Sequence, residues 1–474
     1  MLGTIEAGDR IVRRTMPRVI LLTLIHAILL YNALNHDPRV GYDAEEHLEY
    51  IEVLSKLSLP TPEQTYEFIS PPLPYVVPAL ARALGMSLTG AAKVGQVVNV
   101  FASLFLMYHL LAIADMLRPG HERLKLLALG LLGTLPVYYK SFAFVRGEPL
   151  LAAMAVAVAH EAIAIFVRDD RSVRRALALG VWLGLAVLSR QLGYLLLPPL
   201  AFLVIARIVA APRLARFLLG RSLLAGAATL LVCGPFLAHM AIEHGSIAVY
   251  SRSGFRSFSL ANNPPSFYFD PGLEKVFEDP VRDAFPNRLL PTFYSEVWGD
   301  YWCYFLIYGY DARNGNPLSG LLVNRALSQP ELPEWLRTNR ESIAPYLGRV
   351  NAAALPASAV MAGGMVMGLI GLLLMLWRRR ADSEILTRSF LFLIVVSTLG
   401  GLLWILIKYS SPSVGRMIKP TYALQLFPFL CLLAAEAIVR LDAIAPRAAR
   451  WLCVLLVACA LHNLPALFTR VVVR

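Results

Sequence analysis

Apolar runs close to membrane-spanning length, each closed by charged or proline-rich breaks, recur along nearly the whole chain. They fall at about 19–34, 94–114, 126–140, 149–167, 176–189, 192–206, 222–242, 356–377, 389–407, 421–439 and 451–469, roughly eleven in all. A helix needs about 20 such residues to cross the hydrocarbon core of a bilayer. The pattern therefore predicts an all-α polytopic membrane protein with about 11 transmembrane helices. Two long mixed intervals interrupt it, 35–92 and 243–355. They divide the chain into an N-terminal transmembrane module at 1–242 carrying a first loop, a large loop region at 243–355 and C-terminal transmembrane helices at 356–474.

Composition agrees: 57% of the 474 residues are hydrophobic and 16% charged, well outside the range of a soluble globular chain. The formal charge of +12 raises the question of nucleic acid, but the placement of the basic residues answers it. With a cytoplasmic N-terminus, Arg10, Arg13, Arg14 and Arg18 precede the first span, and the turns RPGHERLK, RDDRSVRR, RIVAAPRLARFLLGR, RRRADSEILTR and RLDAIAPRAAR are all cytoplasmic and basic. That is the positive-inside distribution. It makes the chain a multi-pass protein of the cytoplasmic (inner) membrane, with membrane lipid and no nucleic acid as partner, and puts both long loops and the C-terminal tail on the extracytoplasmic side. Five cysteines without paired spacing support neither a disulfide framework nor a zinc site. A cleavable signal peptide, a nucleotide-binding glycine loop and an internal repeat are not evident.

The first loop reads DAEEHLEYIEVLSKL, an amphipathic surface helix with Leu48, Ile51, Leu54 and Leu57 on one stripe. Pro60 and Pro62 end it, and SPPLPYVVPALARAL starts a second short helix after the Pro71-Pro72 corner. A membrane anchor has no need of the acids Asp43, Glu45, Glu46, Glu49 and Glu52. Asp43 lies just beyond the first span, where a general base would meet the headgroup of a lipid-linked molecule; it also reads as an N-cap of the helix. Helical spacing puts Glu45 with Glu49 and turns Glu46 elsewhere. His47 is either a phosphate or acceptor ligand or a structural histidine.

Other charged groups stand at the same outer level. FVRGEP at 144–149 offers Arg146 as a phosphate partner and Glu148 as a sugar-hydroxyl ligand or ion-pair partner, with Lys140 preceding them. Arg190 in LSRQLGY is placed for a lipid phosphate or a first-loop acid. The turn IKYSSPSVGRMIKPTY at 407–422 carries Lys408, Arg416 and Lys419 without an acid, against the positive-inside trend, and so suggests an anion site opposite the acidic loop. In the large loop, Tyr294, Trp298, Tyr301, Trp302, Tyr304, Phe305, Tyr308 and Tyr310 form either an interfacial belt or a carbohydrate or headgroup wall.

Together these features resemble the GT-C superfamily of membrane glycosyltransferases, in particular the branch of protein O-mannosyltransferases and bacterial lipid A aminoarabinose transferases. The resemblance is carried by Tyr42-Asp43-Ala44-Glu45-Glu46-His47 after span one, Pro-Pro-Leu-Pro-Tyr at 71–75, the Arg-x-Glu of Arg146 and Glu148, LSRQLGYLLLPPLAFL at 188–203 and the basic turn from Arg416 to Tyr422. It covers residues 15–240 well, the last third loosely and 243–355 only in position. It implies transfer of a sugar from a polyprenyl-phosphate donor to an acceptor hydroxyl of a glycan, lipid or protein, outside the membrane and with inversion. Asp43 matches the base. Many members have two adjacent acids where Ala44 here separates Asp43 from Glu45, so Glu45 is the other candidate. His47, Lys140, Arg146, Glu148, Arg190, Trp298, Lys408, Arg416 and Lys419 are the candidate substrate-binding residues. No cofactor is expected, although Asp43 and Glu45 could offer oxygens to a divalent cation.

A secondary transporter is the rival from another class, but it would carry midplane charges and repeated halves. An O-antigen ligase or polymerase would share the lipid-linked substrate and rely on late-loop Arg and His. A non-catalytic scaffold leaves the acidic loop unexplained.

Overall fold

The computed structural model describes residues 2–247, 256–282, 284–306, 334–378, 382–411 and 415–469. Eighteen α-helices are followed here, numbered in chain order: α1 Leu2–Asn35, α2 Ala44–Leu54, α3 Leu73–Ala83, α4 Leu88–Leu117, α5 Glu122–Gly133, α6 Pro136–Ala143, α7 Glu148–Ala162, α8 Val173–Ser189, α9 Leu197–Ala210, α10 Ala215–His244, α11 Pro265–Phe269, α12 Leu273–Glu278, α13 Leu289–Trp298, α14 Glu334–Ala353, α15 Leu355–Arg378, α16 Ser383–Lys408, α17 Phe427–Ile444 and α18 Pro446–Asn463. Among the described residues there is no strand. The protein is an integral membrane protein of helices.

Each of the eleven apolar runs lies on helix. Among the described residues nine helices are long and apolar enough to cross a bilayer, and α5 with α6, bent by 64°, make a tenth span if counted together. The bend falls where Pro136 cannot donate to the preceding turn and holds Leu135 extended. The remaining run, 176–189, is the 17-residue α8, at the short limit for spanning. It packs closely on α10: a Cβ at Gly180 or Gly184 would strike Ala225, Ala228 or Val232. Small residues four apart bring membrane helices into such contact.

The helix starts follow local chemistry. Ser87 accepts the Gly90 amide at α4 and Asp382 the Glu384 amide at α16. Pro149, Pro198 and Pro428 occupy the first turns of α7, α9 and α17.

Charged groups segregate to the two ends of the bundle as the alternation of basic segments predicts. At one end Arg118 and Arg440 grip the buried Glu436 at 2.7 and 3.0 Å, Arg123 pairs with Asp442, and Arg207 meets Asp169 at 2.7 Å. The candidate site residues gather at the other.

The first loop departs from expectation in one respect. Helix α2 ends at Leu54; Leu57, assigned to its apolar stripe, adopts φ +61° beyond it and is 96% exposed. Leu48 and Ile51 pack with Tyr75 of α3, Ala91 and Ala92 of α4 and Val145 of the turn between α6 and α7, so α2 docks on protein. In the large loop, Trp298, Tyr301, Trp302, Tyr304 and Phe305 are all buried. They form core between the loop and the bundle and not an exposed wall. Tyr308 and Tyr310 lie outside the described residues, as do the side chains of Arg10, Arg13 and Arg14.

Candidate active site

The chain leaves α1 through His36 and Asp37, whose side chains fix a tight reversal. His36 bridges the Val40 carbonyl and Thr469 at 2.8 Å each, and Asp37 accepts from the Arg39 amide at 2.8 Å and its guanidinium at 2.9 Å. Tyr42 is thereby turned inward, with its hydroxyl on the buried Glu296 of α13. Asp43 follows in the left-handed region at φ 53°, ψ 34°, which a short polar side chain tolerates. It occupies the N-cap position of α2, yet its side chain makes no capping bond. Its carboxylate instead receives the Lys419 ammonium at 2.6 Å.

Behind this pair lies an alternating array of charge. Arg146 makes a two-pronged contact with Glu148 at 3.0 and 3.2 Å and donates to the Tyr42 carbonyl at 3.0 Å. Arg190 joins Glu148 at 3.0 Å to Glu67 at 2.8 Å and also reaches Ser70. The rings of Tyr42 and Tyr422 plate the cations: Lys419 lies 5.1 and 5.7 Å above them, Arg146 5.4 and 5.5 Å. Three cations face three carboxylates, so the array can stay charged despite its burial. Gly147 is needed where α7 begins, since a Cβ there would collide with the Ser189 carbonyl just before Arg190.

Burial works against the charge on Asp43, but Lys419 and then Arg146 overcome it and hold its carboxyl well below the usual range. For Lys419 and Arg190 burial also disfavours the cation, and the facing carboxylates more than compensate, raising both. Glu67, buried beside Arg190, falls to about 2. His47 is pushed down to about 4 by burial and stays neutral, its Nδ1 2.7 Å from the Tyr75 hydroxyl.

Asp43, Lys419 and Arg190 line a cavity of about 630 Å³ together with Glu46, Glu67, Tyr66, Gln191 and Tyr422. Its other side is apolar, formed by Leu192 and Leu195 in the 3-10 turn that precedes α9 and by Gly400, Gly401, Trp404 and Ile405 of α16. One end is thus shaped for charge and the other for hydrocarbon.

The candidates from the sequence divide accordingly. Asp43, Arg190 and Lys419 line the cavity, and Arg146 and Glu148 stand directly behind them. Glu45 is half-buried on α2 and is not among the lining residues, a place taken by Glu46. His47 is buried on Tyr75. Lys140 is paired with Glu296 and donates to the Glu296 and Gly299 carbonyls at 3.0 and 3.1 Å, tying α6 to the large loop. Trp298 is buried in the core. Lys408 lies 4.9 Å above the Trp404 ring at the cavity margin, and Arg416 is exposed.

Glu67, Tyr422, Tyr42 and Glu296 were not singled out by the sequence, and Glu46 was named among the first-loop acids but not as a site residue. Tyr422 and Tyr42 stood at the edges of quoted motifs, while Glu67 lies in a short polar stretch without periodicity.

Comparison with solved structures bears on the fold. The chain superposes on the Archaeoglobus fulgidus oligosaccharyltransferase tethered to an acceptor peptide with a TM-score of 0.53 and 14% identity, over 97% of this chain and 56% of that one. The chain shares the fold of that oligosaccharyltransferase. The same archaeal GT-C protein with zinc and sulfate matches with a TM-score of 0.52 and 13% identity, over 95% and 53% of the two chains. ArnT from Cupriavidus metallidurans bound to undecaprenyl phosphate matches with a TM-score of 0.42 and 16% identity, over 90% and 79%. The chain spans about half the length of the archaeal GT-C protein. No family model and no curated protein matches the sequence.

Proposed function

We propose that this chain is a GT-C glycosyltransferase that moves a sugar from a polyprenyl-phosphate donor to an acceptor hydroxyl on the extracytoplasmic face of the membrane, with inversion and with Asp43 as base. The observation that carries the reading is the cavity itself, where a carboxylate paired with a lysine meets an apolar wall. A polyprenyl phosphate has that same division between charged head and long hydrocarbon.

The donor phosphate enters between Lys419 and Arg190, with its chain along Leu192, Leu195 and the Gly400-Gly401 wall of α16. Lys419 then shares its charge with the phosphate, and Asp43 loses part of the interaction that holds its proton affinity down. This matters because a carboxylate fully neutralised by lysine is a weak base. Asp43 takes the proton of the acceptor hydroxyl as its oxygen bonds to the anomeric carbon. The bond from that carbon to the phosphate oxygen breaks on the opposite face, and Lys419 and Arg190 stabilise the negative charge on the leaving phosphate. Glu148 and Arg146 fix Arg190 and the Tyr42 backbone in place. Glu46 and Gln191 are left for sugar or acceptor hydroxyls. Every step uses this chain's own side chains.

The archaeal protein of the same fold is an oligosaccharyltransferase solved with an acceptor peptide, which supports glycosyl transfer as the class without naming the acceptor here. The basic segments at the opposite end from Asp43 support a cytoplasmic N-terminus and an extracytoplasmic site in the inner membrane. Residues 1–242, 243–355 and 356–474 are its three parts: the first supplies Asp43, the third Lys419, and the second supplies Glu296, which accepts the hydroxyl of Tyr42 beside Asp43.

Binding tests the reading. A polyprenyl phosphate should raise the melting temperature of the purified chain in detergent, and a short-chain alkyl phosphate should do so more weakly. Lys419→Gln should weaken the binding about 10-fold or more, as loss of a charge-assisted contact implies. Equal stabilisation of wild type and variant would remove Lys419 from the phosphate site.

A further inference from the structure

A second cluster of chemistry-bearing side chains lies well away from the cavity. His109 on α4 and His160 and Glu161 on α7 are all buried, and their ligand atoms lie within 4.8 Å of one another. Among the described residues this is the one such group of three that meets a metal-ligand spacing. His160 stands 12 positions after Glu148, or about 18 Å along the helix at 1.5 Å per residue, toward the opposite end of the bundle.

The spacing is close to that of a ligand set, with the two histidines at hydrogen-bond distance from each other. The two imidazole Nδ1 atoms are 2.9 Å apart, and His160 Nδ1 is 3.4 Å from Glu161 Oε1. Ligands held at about 2.0–2.1 Å around a tetrahedral zinc ion are separated by about 3.3 Å. The carboxylate is oriented from outside: its other oxygen, Oε2, accepts from Arg175 at 3.0 Å, and Arg175 is in turn anchored on Asp170 at 2.7 Å. Such outer partners fix the direction of a metal-binding carboxylate. Helix α7 widens into a π turn at Ile163–Val167 immediately afterward, a distortion that recurs beside functional sites. The rings of Phe105 and Trp182 close around His109. A histidine pair alone needs no carboxylate aimed at the same nitrogen.

We propose that His109, His160 and Glu161 form a site for a divalent transition metal of the zinc class, distinct from the Asp43 cavity. The bound ion ties α4 to α7 and, through Arg175, to α8. Nitrogen and carboxylate donors in this number suit zinc or cobalt and do not suit magnesium or calcium, which take oxygen.

The test is titration of the chelator-stripped, full-length chain in detergent with Co(II), following the ligand-field bands of four-coordinate cobalt, and then displacement by Zn(II). Wild type and Asp43→Ala should both bind one equivalent with the same spectrum. His109→Ala and His160→Ala should each lose about 100-fold in affinity or more, and Arg175→Gln about 10-fold. Glu161→Gln, which keeps side-chain volume, reads the same site if a histidine variant does not fold. Absence of a saturable band in wild type, or a band that survives both histidine changes, overturns the proposal. Loss in Asp43→Ala alone also overturns it, because the ion would then sit in the cavity.

Discussion

Lys419 and Asp43, 376 residues apart in sequence, meet at 2.6 Å across the mouth of the cavity. The side chain of Asp43 remains 39% exposed while that of Lys419 is 11% exposed, so the carboxylate is the more open partner of the pair. Lys419→Met should leave the fold intact and cut transfer at least about 10-fold, because both donor binding and leaving-group stabilisation are lost. A variant that keeps kcat and raises only KM would show that Lys419 serves binding alone.

Glu148 holds two guanidinium groups, those of Arg146 and Arg190, in a buried setting. Glu148→Ala would strand both, and breaking a buried pair typically costs about 3–5 kcal/mol. The expected result is poor recovery of folded protein. Glu148→Gln should be milder, since the amide still accepts one of the bonds. Equal melting temperatures for wild type and Glu148→Ala would contradict the structural role.

Gly400 has no atom within 4 Å of where a Cβ would stand, and it lines the apolar side of the cavity. Gly400→Leu should therefore fold and obstruct the hydrocarbon slot. KM for a long-chain donor should rise several-fold, while that for a short-chain analogue changes little. A variant indifferent to donor chain length would remove the slot from the path of the lipid. By contrast Gly147→Ala, with no room beside the Ser189 carbonyl, should displace Arg190 and lower activity whatever the donor length.

Two histidines outside the spans, His36 and His47, are pushed down by burial to about 4. Their free value is near 6.5. Between these limits the unfolded chain binds protons that the folded chain does not, so stability rises with pH there and is lost as pH falls from about 6.5 toward 4. His47→Gln should flatten the decline in melting temperature between pH 6.5 and 5. A decline of the same steepness in the variant would mean that His47 is already protonated in the fold.

How much of this was legible in the chain depended on the kind of signal. Apolar runs are long-range and redundant, so all eleven were found, and only the bend at Pro136 and the shortness of α8 altered how they count as spans. Asp43, Arg146, Glu148, Arg190 and Lys419 stood out because a charge at a span end breaks a simple pattern, and the fold brings all five together. Glu45 and Glu46 could be separated by helical spacing, but which of them faces the cavity depends on how α2 docks against Tyr75 and Val145, and no local pattern specifies that. Leu57 continued an apolar period past the last helical turn. The buried aromatics around Trp302 looked interfacial because a core assembled from a loop and a bundle has the same composition as a membrane belt.

The most direct test of the central claim is transfer of radiolabelled sugar from a polyprenyl-phosphate donor pool to endogenous acceptors in membranes, comparing wild type, Asp43→Asn and Glu45→Gln at matched expression. The structure predicts transfer by wild type, loss by about 100-fold or more in Asp43→Asn, the scale of a general base, and near-normal transfer in Glu45→Gln. Transfer that survives Asp43→Asn, or is lost only in Glu45→Gln, would contradict the assignment of Asp43 as base.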